Sequence, residues 1–309
     1  MELLSRAALR GTWATVLLPV RADESVDYGA LEEELAVLVA SGVAGIYSNG
    51  TAGEFFTQTE DEFDRINRLL AEQCSRAGLP FQIGACHMSA QVSLDRIGRA
   101  RTLEPSAMQV ILPDWTPVSF AEALAFLGRA AEVAAPVPLV LYQPPHAKRQ
   151  LTPAELEEAA EAIPALIGIK MAGGDAAWFE AMRGVTSKLA VFTAGHSLAS
   201  GTRMGAAGSY SNAACLHPAG AARWERQMAE DPEAALDVER RLVGFLREHI
   251  LPLRDEGGYC NGALDKLLAA IGGWAPVGTR LRWPYRWLGA DVAERLRPVA
   301  RDTVPEFFR

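Results

Sequence analysis

Lys170, Tyr142 and Thr51 lie far apart in the chain but would make one chemistry if the fold brought them together. Lys170 closes a short apolar run, Leu166-Ile167-Gly168-Ile169-Lys170-Met171, that reads as a buried strand. Side chains alternate along a strand, so Leu166, Gly168 and Lys170 share one face and Ile167, Ile169 and Met171 the other. With the bulky face against a helical layer, Lys170 points to an interior where an ammonium is poorly solvated and its pKa falls. A fall from about 10.4 to about 7 raises the free-amine fraction near neutral pH by about three orders of magnitude, and a neutral amine attacks carbonyls. The competing reading is a strand-end lysine that reaches solvent or pairs with a carboxylate. Tyr142 ends another apolar run, Leu139-Val140-Leu141-Tyr142, where a phenol can carry a proton. The turn Asn49-Gly50-Thr51-Ala52-Gly53-Glu54-Phe55 offers a hydroxyl and exposed N–H groups to a carboxylate or phosphate, and Gly208-Ser209-Tyr210-Ser211-Asn212 offers more donors. Singly, each has a structural explanation as a turn or a packed tyrosine. Together they are what Schiff-base chemistry on a 2-oxo acid requires.

Along the chain that must position these residues, strand-like and helix-like stretches alternate. Thr12 to Pro19 precedes a helical pattern over Tyr28 to Ala40, with Leu31, Leu35, Leu38 and Val39 at helical spacing. Val43 to Ser48 precedes Thr59 to Ala77, Phe81 to Cys86 precedes Ala90 to Leu103, and Met108 to Leu112 precedes Phe120 to Ala134. Leu139 to Tyr142 then precedes Pro153 to Ala162, and Leu166 to Met171 precedes Ala176 to Thr186. Leu189 to Thr193 and Leu198 to Ala206, then Gly208 to Ala213 and His217 to Met228, complete about eight strand-helix units. Short connections and regular alternation predict a parallel sheet covered by helices. Eight units close most naturally into an α/β fold of the (β/α)8 TIM-barrel type, with an open doubly wound sheet as the alternative. Beyond Met228 helical patterns take over, at Ala234 to Ile250, Gly262 to Ile271 and Asp291 to Val299. The reading is a barrel domain over residues 1–228 and a C-terminal helical region over 229–309. Val277 to Trp287 reads as an extended packing segment without chemistry.

The 309 residues carry a net charge of −8 and a pI near 5.3. That balance argues against a nucleic-acid or anionic-membrane surface and for a small-molecule partner. No early apolar run suits a signal peptide or membrane span, so a soluble cytoplasmic protein is expected. Cys74, Cys86, Cys215 and Cys260 form no CxxC pair and read as reduced thiols.

The order and spacing of these motifs resemble the dihydrodipicolinate synthase and N-acetylneuraminate lyase family of pyruvate-dependent class I aldolases. Gly50-Thr51-Ala52-Gly53-Glu54 resembles its G-[ST]-T-G-E loop, Tyr142 the tyrosine of its Y-N-x-P motif, Gly168-Ile169-Lys170 its G-[IV]-K Schiff-base site, and Gly205 to Asn212 its strand-eight loop. The resemblance implies an imine between Lys170 and pyruvate with no other cofactor and no metal. It also implies proton relay by Tyr142 and Thr51, a carboxylate grip by the Thr51-Ala52 backbone, and a homotetramer built from tight dimers. Four positions depart from the synthases. Ala52 replaces a threonine, and Trp115, in Pro113-Asp114-Trp115, aligns with the second tyrosine, which in the synthases completes the relay across the dimer. Ala147, in Pro145-His146-Ala147-Lys148, stands where the synthases have a carboxylate-binding arginine, for which Lys148 or Arg149 are candidate substitutes. Gly195-His196-Ser197 replaces Gly-Asp-Asp. These changes cluster where the second substrate would sit, so imine chemistry on a 2-oxo acid is expected to be kept while the acceptor or leaving group differs.

The leading expectation is therefore a lyase on pyruvate or a related 2-oxo acid, with a 2-keto-3-deoxy sugar acid ranked ahead of the synthase reaction. Trp115 leaves room for an aromatic aldehyde. Candidate substrate contacts are Gly50, Ala52, Tyr210, Trp115, His146 and His196. Two other classes compete. His87, His146, His196 and His217 near strand ends raise a metal-dependent hydrolase, although no HxH pair completes a ligand set. The missing relay tyrosine raises a noncatalytic 2-oxo acid binding homologue.

Overall fold

The computed structural model describes residues 1–309. Eight short parallel strands close into a barrel in sequence order: β1 (Gly11–Thr15), β2 (Gly45–Tyr47), β3 (Phe81–Gly84), β4 (Ala107–Val110), β5 (Leu139–Tyr142), β6 (Leu166–Lys170), β7 (Ala190–Ala194) and β8 (Gly208–Tyr210). The alternating pattern predicts this closure, and β1 pairing with β8 excludes the open sheet. The strands are shorter than their apolar runs. β1 ends at Thr15, and the chain after it continues as loop outside the ladder, with Val16, Leu17 and Leu18 buried.

Around the barrel run α1 (Tyr28–Ala40), α2 (Glu60–Ala77), α3 (Ala90–Ala100), α4 (Phe120–Ala134), α5 (Pro153–Ala162), α6 (Ala176–Ala181), α7 (Arg183–Lys188), α8 (Leu198–Arg203), α9 (Asn212–Leu216) and α10 (Pro218–Glu230). Three begin with a reciprocal capping box, Thr59 with Glu62, Ser119 with Glu122 and Thr152 with Glu155. Each box satisfies two N–H groups that a helix start leaves free, which is why these boundaries are sharp. The stretch Ala176 to Thr186 breaks at Met182 into α6 and α7. The end of the Ala90 to Leu103 pattern tightens as well, leaving α3 for a 3₁₀ turn over Arg101–Leu103.

The C-terminal part contains α11 (Pro232–Phe245), a π-helical turn over Leu246–Ile250, α12 (Leu251–Asp255), α13 (Asn261–Gly272) and α14 (Ala290–Thr303). α13 packs on α9 and α14, and α11 on α10 and α8. One apolar core joins them to the barrel's outer layer: Leu267, Leu296 and Phe307 belong to the same cluster as Leu31, Ile83 and Leu127.

Inside the barrel a separate cluster is formed by Trp13, Tyr47, Val140, Ile167, Phe192 and Tyr210, among others, with Leu9 from the segment before β1. Here strict alternation fails. Leu166 packs in the outer core and Ile167 in the inner one, because the β5–β6 register slips between Leu139 and Val140. A bulge of this kind re-aims side chains. Beyond it the pattern resumes, with Ile169 in the outer core and Lys170 on the inner face, paired in register with Tyr142.

Candidate active site

The residues of interest collect at the C-terminal ends of the strands, the end where barrels of this type hold ligands. Lys170 ends β6, Tyr142 ends β5, Tyr47 ends β2 and Tyr210 ends β8. Three phenol rings enclose the amine: Nζ lies 4.1 Å from the ring centre of Tyr142, 4.6 Å from that of Tyr47 and 5.2 Å from that of Tyr210. Its hydrogen bond goes to the Tyr47 hydroxyl at 3.2 Å, and no carboxylate forms an ion pair with it. Enclosure away from water lowers the Lys170 pKa to about 8, a fall that the nearby Asp265 carboxyl limits. Cation–π attraction to the rings also favours the charged form, but desolvation wins.

The Tyr142 and Thr51 hydroxyls are hydrogen-bonded to each other at 3.1 Å. Burial pushes the Tyr142 phenol up to about 12, so it stands protonated and ready to donate. Tyr210 is locked, its hydroxyl donating across the barrel to Gln82 Oε1 at 2.8 Å. It supplies a wall rather than a proton.

The turn carrying Thr51 is strained and braced. Asn49 and Glu54 hold positive φ angles of 55° and 52°, which cost non-glycine residues energy and persist only where the surroundings impose them. Bracing comes from α13 and the segment after it: the fully buried Lys266 ammonium bonds Glu54 Oε1 at 2.5 Å, and the Arg282 backbone N–H donates to Glu54 Oε2 at 3.0 Å. Gly50 must lack a side chain, because a Cβ there would lie 2.8 Å from a ring carbon of Tyr47 and 3.6 Å from Lys170 Nζ. The Gly53 and Glu54 N–H groups close the turn onto Gly50 and Thr51 carbonyls, while those of Thr51 and Ala52 have no protein acceptor. Two free donors beside an amine suit a carboxylate.

A cavity of about 430 Å³ surrounds Lys170 and is lined by Tyr47, Thr51, Ala52, Tyr142, His196 and Tyr210, with Asp265 and Asn261 from α13 and Leu246, Arg247 and Ile250 from the π-helical turn. The C-terminal helices therefore roof the site. Asp265 is half-buried, and its enclosed position raises its carboxyl to about 7. His196 is held by Asn212, whose Nδ2 lies 2.9 Å from its Nδ1; burial lowers its pKa. With Nδ1 accepting, the imidazole proton is assigned to Nε2.

Not every residue singled out in the sequence is at this cavity. His146 lines an adjacent chamber, which shares Thr51, Tyr142, Arg254 and Asn261 with the first. Trp115 lines neither cavity of its own chain: its indole is 77 % exposed, and the Lys148 ammonium bonds its carbonyl at 2.8 Å. The loop after β4 carries it to the surface of the chain. Lys148 is thereby occupied, and Arg149 pairs with Glu155. The histidines do not gather. His87 Nδ1 accepts from the Ser89 N–H and His217 Nδ1 caps α10, and no three His, Cys, Asp or Glu side chains converge as a ligand set. Sequence reasoning misses Tyr47 and Asp265. Tyr47 sits inside an apolar run with no motif, and Asp265, in Asn261-Gly262-Ala263-Leu264-Asp265-Lys266, resembles one of two solvent-facing charges on a helix.

A desolvated lysine, a phenol and free backbone donors at the mouth of a (β/α)8 barrel suit a lyase of the class I aldolase type. The chain belongs to the dihydrodipicolinate synthetase family, whose model matches residues 8–252. It is 26% identical over 299 residues to a 4-hydroxy-tetrahydrodipicolinate synthase of Acidobacterium capsulatum, covering 94% of this chain and 95% of that one. It is 29% identical over 176 residues to an N-acetylneuraminate lyase of Rhizobium meliloti, covering 57% of this chain and 58% of that one. Among solved structures, a prophage protein of the same family from E. coli K12, in complex with pyruvate, superposes with a TM-score of 0.84 at 21% identity over 96% of this chain and 98% of that one. No helix is long and apolar enough to cross a membrane.

Proposed function

We propose that Lys170 condenses with the keto group of pyruvate, or a closely related 2-oxo acid, and that the imine supports aldol cleavage or condensation, or loss of water from a 2-keto-3-deoxy acid. The observation that carries this reading is the unpaired Lys170 amine, drawn down to about 8 inside its tyrosine enclosure. Contrast Lys266, also enclosed but paired with Glu54: the first lysine is kept reactive, the second is structural.

The geometry supports the following steps. The neutral amine adds to the keto carbon, and the Thr51 and Ala52 N–H groups hold the carboxylate. Tyr142 gives a proton to the departing oxygen, and loss of water leaves a protonated imine. That cation accepts electrons when a proton leaves the neighbouring carbon or when the bond beyond it breaks, and the Tyr142–Thr51 pair carries the proton in each direction. Tyr47 orients the amine.

The synthase reaction is less well supported. Ala147 has no charge, Lys148 is held by the Trp115 carbonyl and Arg149 by Glu155, so none of the three is free to take the second carboxylate. The homotetramer and a cytoplasmic location belong to the same family-based reading, and light scattering on the purified protein tests the former. The imine itself is tested by intact mass after incubation with pyruvate and borohydride. One reduced pyruvate is expected on the native protein and none on Lys170→Ala; an equal increment on both would overturn the assignment.

A further inference from the structure

Beside the Lys170 cavity lies a chamber of about 520 Å³, entered across the Thr51–Tyr142 hydrogen bond. Its walls are apolar and aromatic: Phe55, Phe56, Ile111, Leu112, Leu141 and Tyr285. The three rings form an edge-to-face array, with Phe55 and Phe56 centres 5.4 Å apart and Phe56 and Tyr285 centres 4.9 Å apart. Such a wall accepts another ring in the same geometry.

Several polar groups around the chamber are already in use, while the exposed His146 has no side-chain hydrogen bond. Gln143 is tied to the Leu151 backbone at both ends of its amide, by bonds of 2.8 and 3.2 Å. Arg149 is paired with Glu155, Asp114 accepts the Lys148 N–H at 2.8 Å, and Arg254 is paired with Asp255 at 2.8 Å. A polyhydroxylated acceptor would lose its water here and find few partners, and each buried hydroxyl left unpaired weakens binding about tenfold or more. Free hydrogen-bonding capacity remains at the boundary with the Lys170 cavity, where Asn261 and the Thr51–Tyr142 pair stand, and at His146 and the terminal nitrogens of Arg254. A ligand with one carbonyl and an apolar body matches that division.

We infer that the second substrate is an aromatic aldehyde, whose ring occupies the Phe55, Phe56 and Tyr285 chamber while its carbonyl meets Tyr142. The inference rests on the Lys170 imine of the proposed function. The imine of pyruvate loses a methyl proton to the Tyr142–Thr51 pair and becomes an enamine. Its carbon adds to the aldehyde carbon, and the carbonyl π pair moves to oxygen, which takes that proton back. Water then hydrolyses the imine, releasing a 4-aryl-4-hydroxy-2-oxobutanoate and the free Lys170 amine. The reverse sequence cleaves the same compound.

The test compares benzaldehyde with glyceraldehyde as acceptors, each with pyruvate, alongside borohydride trapping of pyruvate alone. The expected result is trapping together with a kcat/KM for benzaldehyde at least tenfold above that for glyceraldehyde. Phe56→Ala should raise the KM for benzaldehyde about tenfold with trapping unchanged. Should that variant also lose trapping through misfolding, Met88→Asp, at a half-exposed position on the chamber wall, should give the same selective rise. Trapping with glyceraldehyde preferred, or with neither variant altering the benzaldehyde KM, would overturn the aromatic acceptor while leaving the imine standing. Absence of trapping would overturn both.

Discussion

A lysine enclosed by tyrosine rings holds its charge against desolvation, so its contribution to stability has the opposite sign to its contribution to reactivity. The Lys170 pKa falls from 10.5 unfolded to about 8 folded. Below pH 8 both states are protonated and the folded state bears the full penalty, about 3 kcal/mol for a shift of this size; between about 8 and 10.5 only the unfolded state keeps its proton, and the penalty fades. Lys170→Met should therefore abolish imine formation and yet raise unfolding free energy by about 3 kcal/mol at pH 7, shrinking to about 1 kcal/mol by pH 9.5. Urea titrations at the two pH values check this; a stability gain independent of pH would remove the desolvated amine from the argument. The rate of imine formation should climb about tenfold per pH unit up to about pH 7 and level off above about pH 8. Because the Asp265 carboxylate supports the Lys170 charge, Asp265→Asn should move that limb to lower pH, and a pH–rate profile shifted upward or unchanged would contradict it. The lysine is legible in the sequence because a cation in an apolar strand demands an explanation. Asp265 is not, since its meaning depends on α13 crossing the barrel mouth, a tertiary fact with no local signature.

At the scale of elements, the turn after β2 and helix α13 act as one part. The Glu54–Lys266 pair joins them with both side chains at 0 % exposure, and the Arg282 guanidinium extends the joint to Glu62 and the Glu24 and Thr57 carbonyls. Val277 to Trp287, which reads in the sequence as inert packing, is thus the strap that supplies the Arg280 carbonyl to Lys266 and the Tyr285 ring to the chamber. Removing one member of a buried pair strands the other charge, at about 3–5 kcal/mol. Lys266→Met and Glu54→Gln should each destabilise by that order, with the double variant recovering much of the loss. A double-mutant cycle by urea denaturation measures it, and strictly additive losses would show that the two side chains act separately. The turn holds Thr51, so the single variants should also raise the half-saturating pyruvate concentration for trapping. Helices are the most readable elements. Tyr28–Ala40, Phe120–Ala134 and Pro153–Ala162 end where periodicity and capping residues say they should. Strand ends are less readable, because apolar residues such as Leu17 and Leu18 are buried by loops as thoroughly as by a ladder.

At the scale of the whole molecule, the division at residue 228 describes the chain's order more than its core. Helix α10 runs through that point to Glu230, and the apolar cluster continues from the barrel helices into α13, α14 and the final turn around Phe307. The segment that roofs the Lys170 cavity comes from the same region, including a π-helical turn, a geometry often kept where function needs it. Barrel and helical region should accordingly unfold together. Loss of pyruvate trapping on Lys170, loss of far-ultraviolet circular dichroism and the change in fluorescence of Trp224, buried on α10 with its indole N–H on the Ala235 carbonyl of α11 at 3.0 Å, should then share one urea midpoint. Fluorescence changing first while trapping persists would identify a C-terminal region that unfolds on its own, and would relieve α13 of its part in holding Thr51 against the amine. Coincidence would mean that the site owes its shape to the whole chain: the barrel supplies the lysine and phenols, and the helices beyond it supply the roof, the buried brace and the carboxyl that limits the fall in the lysine's pKa.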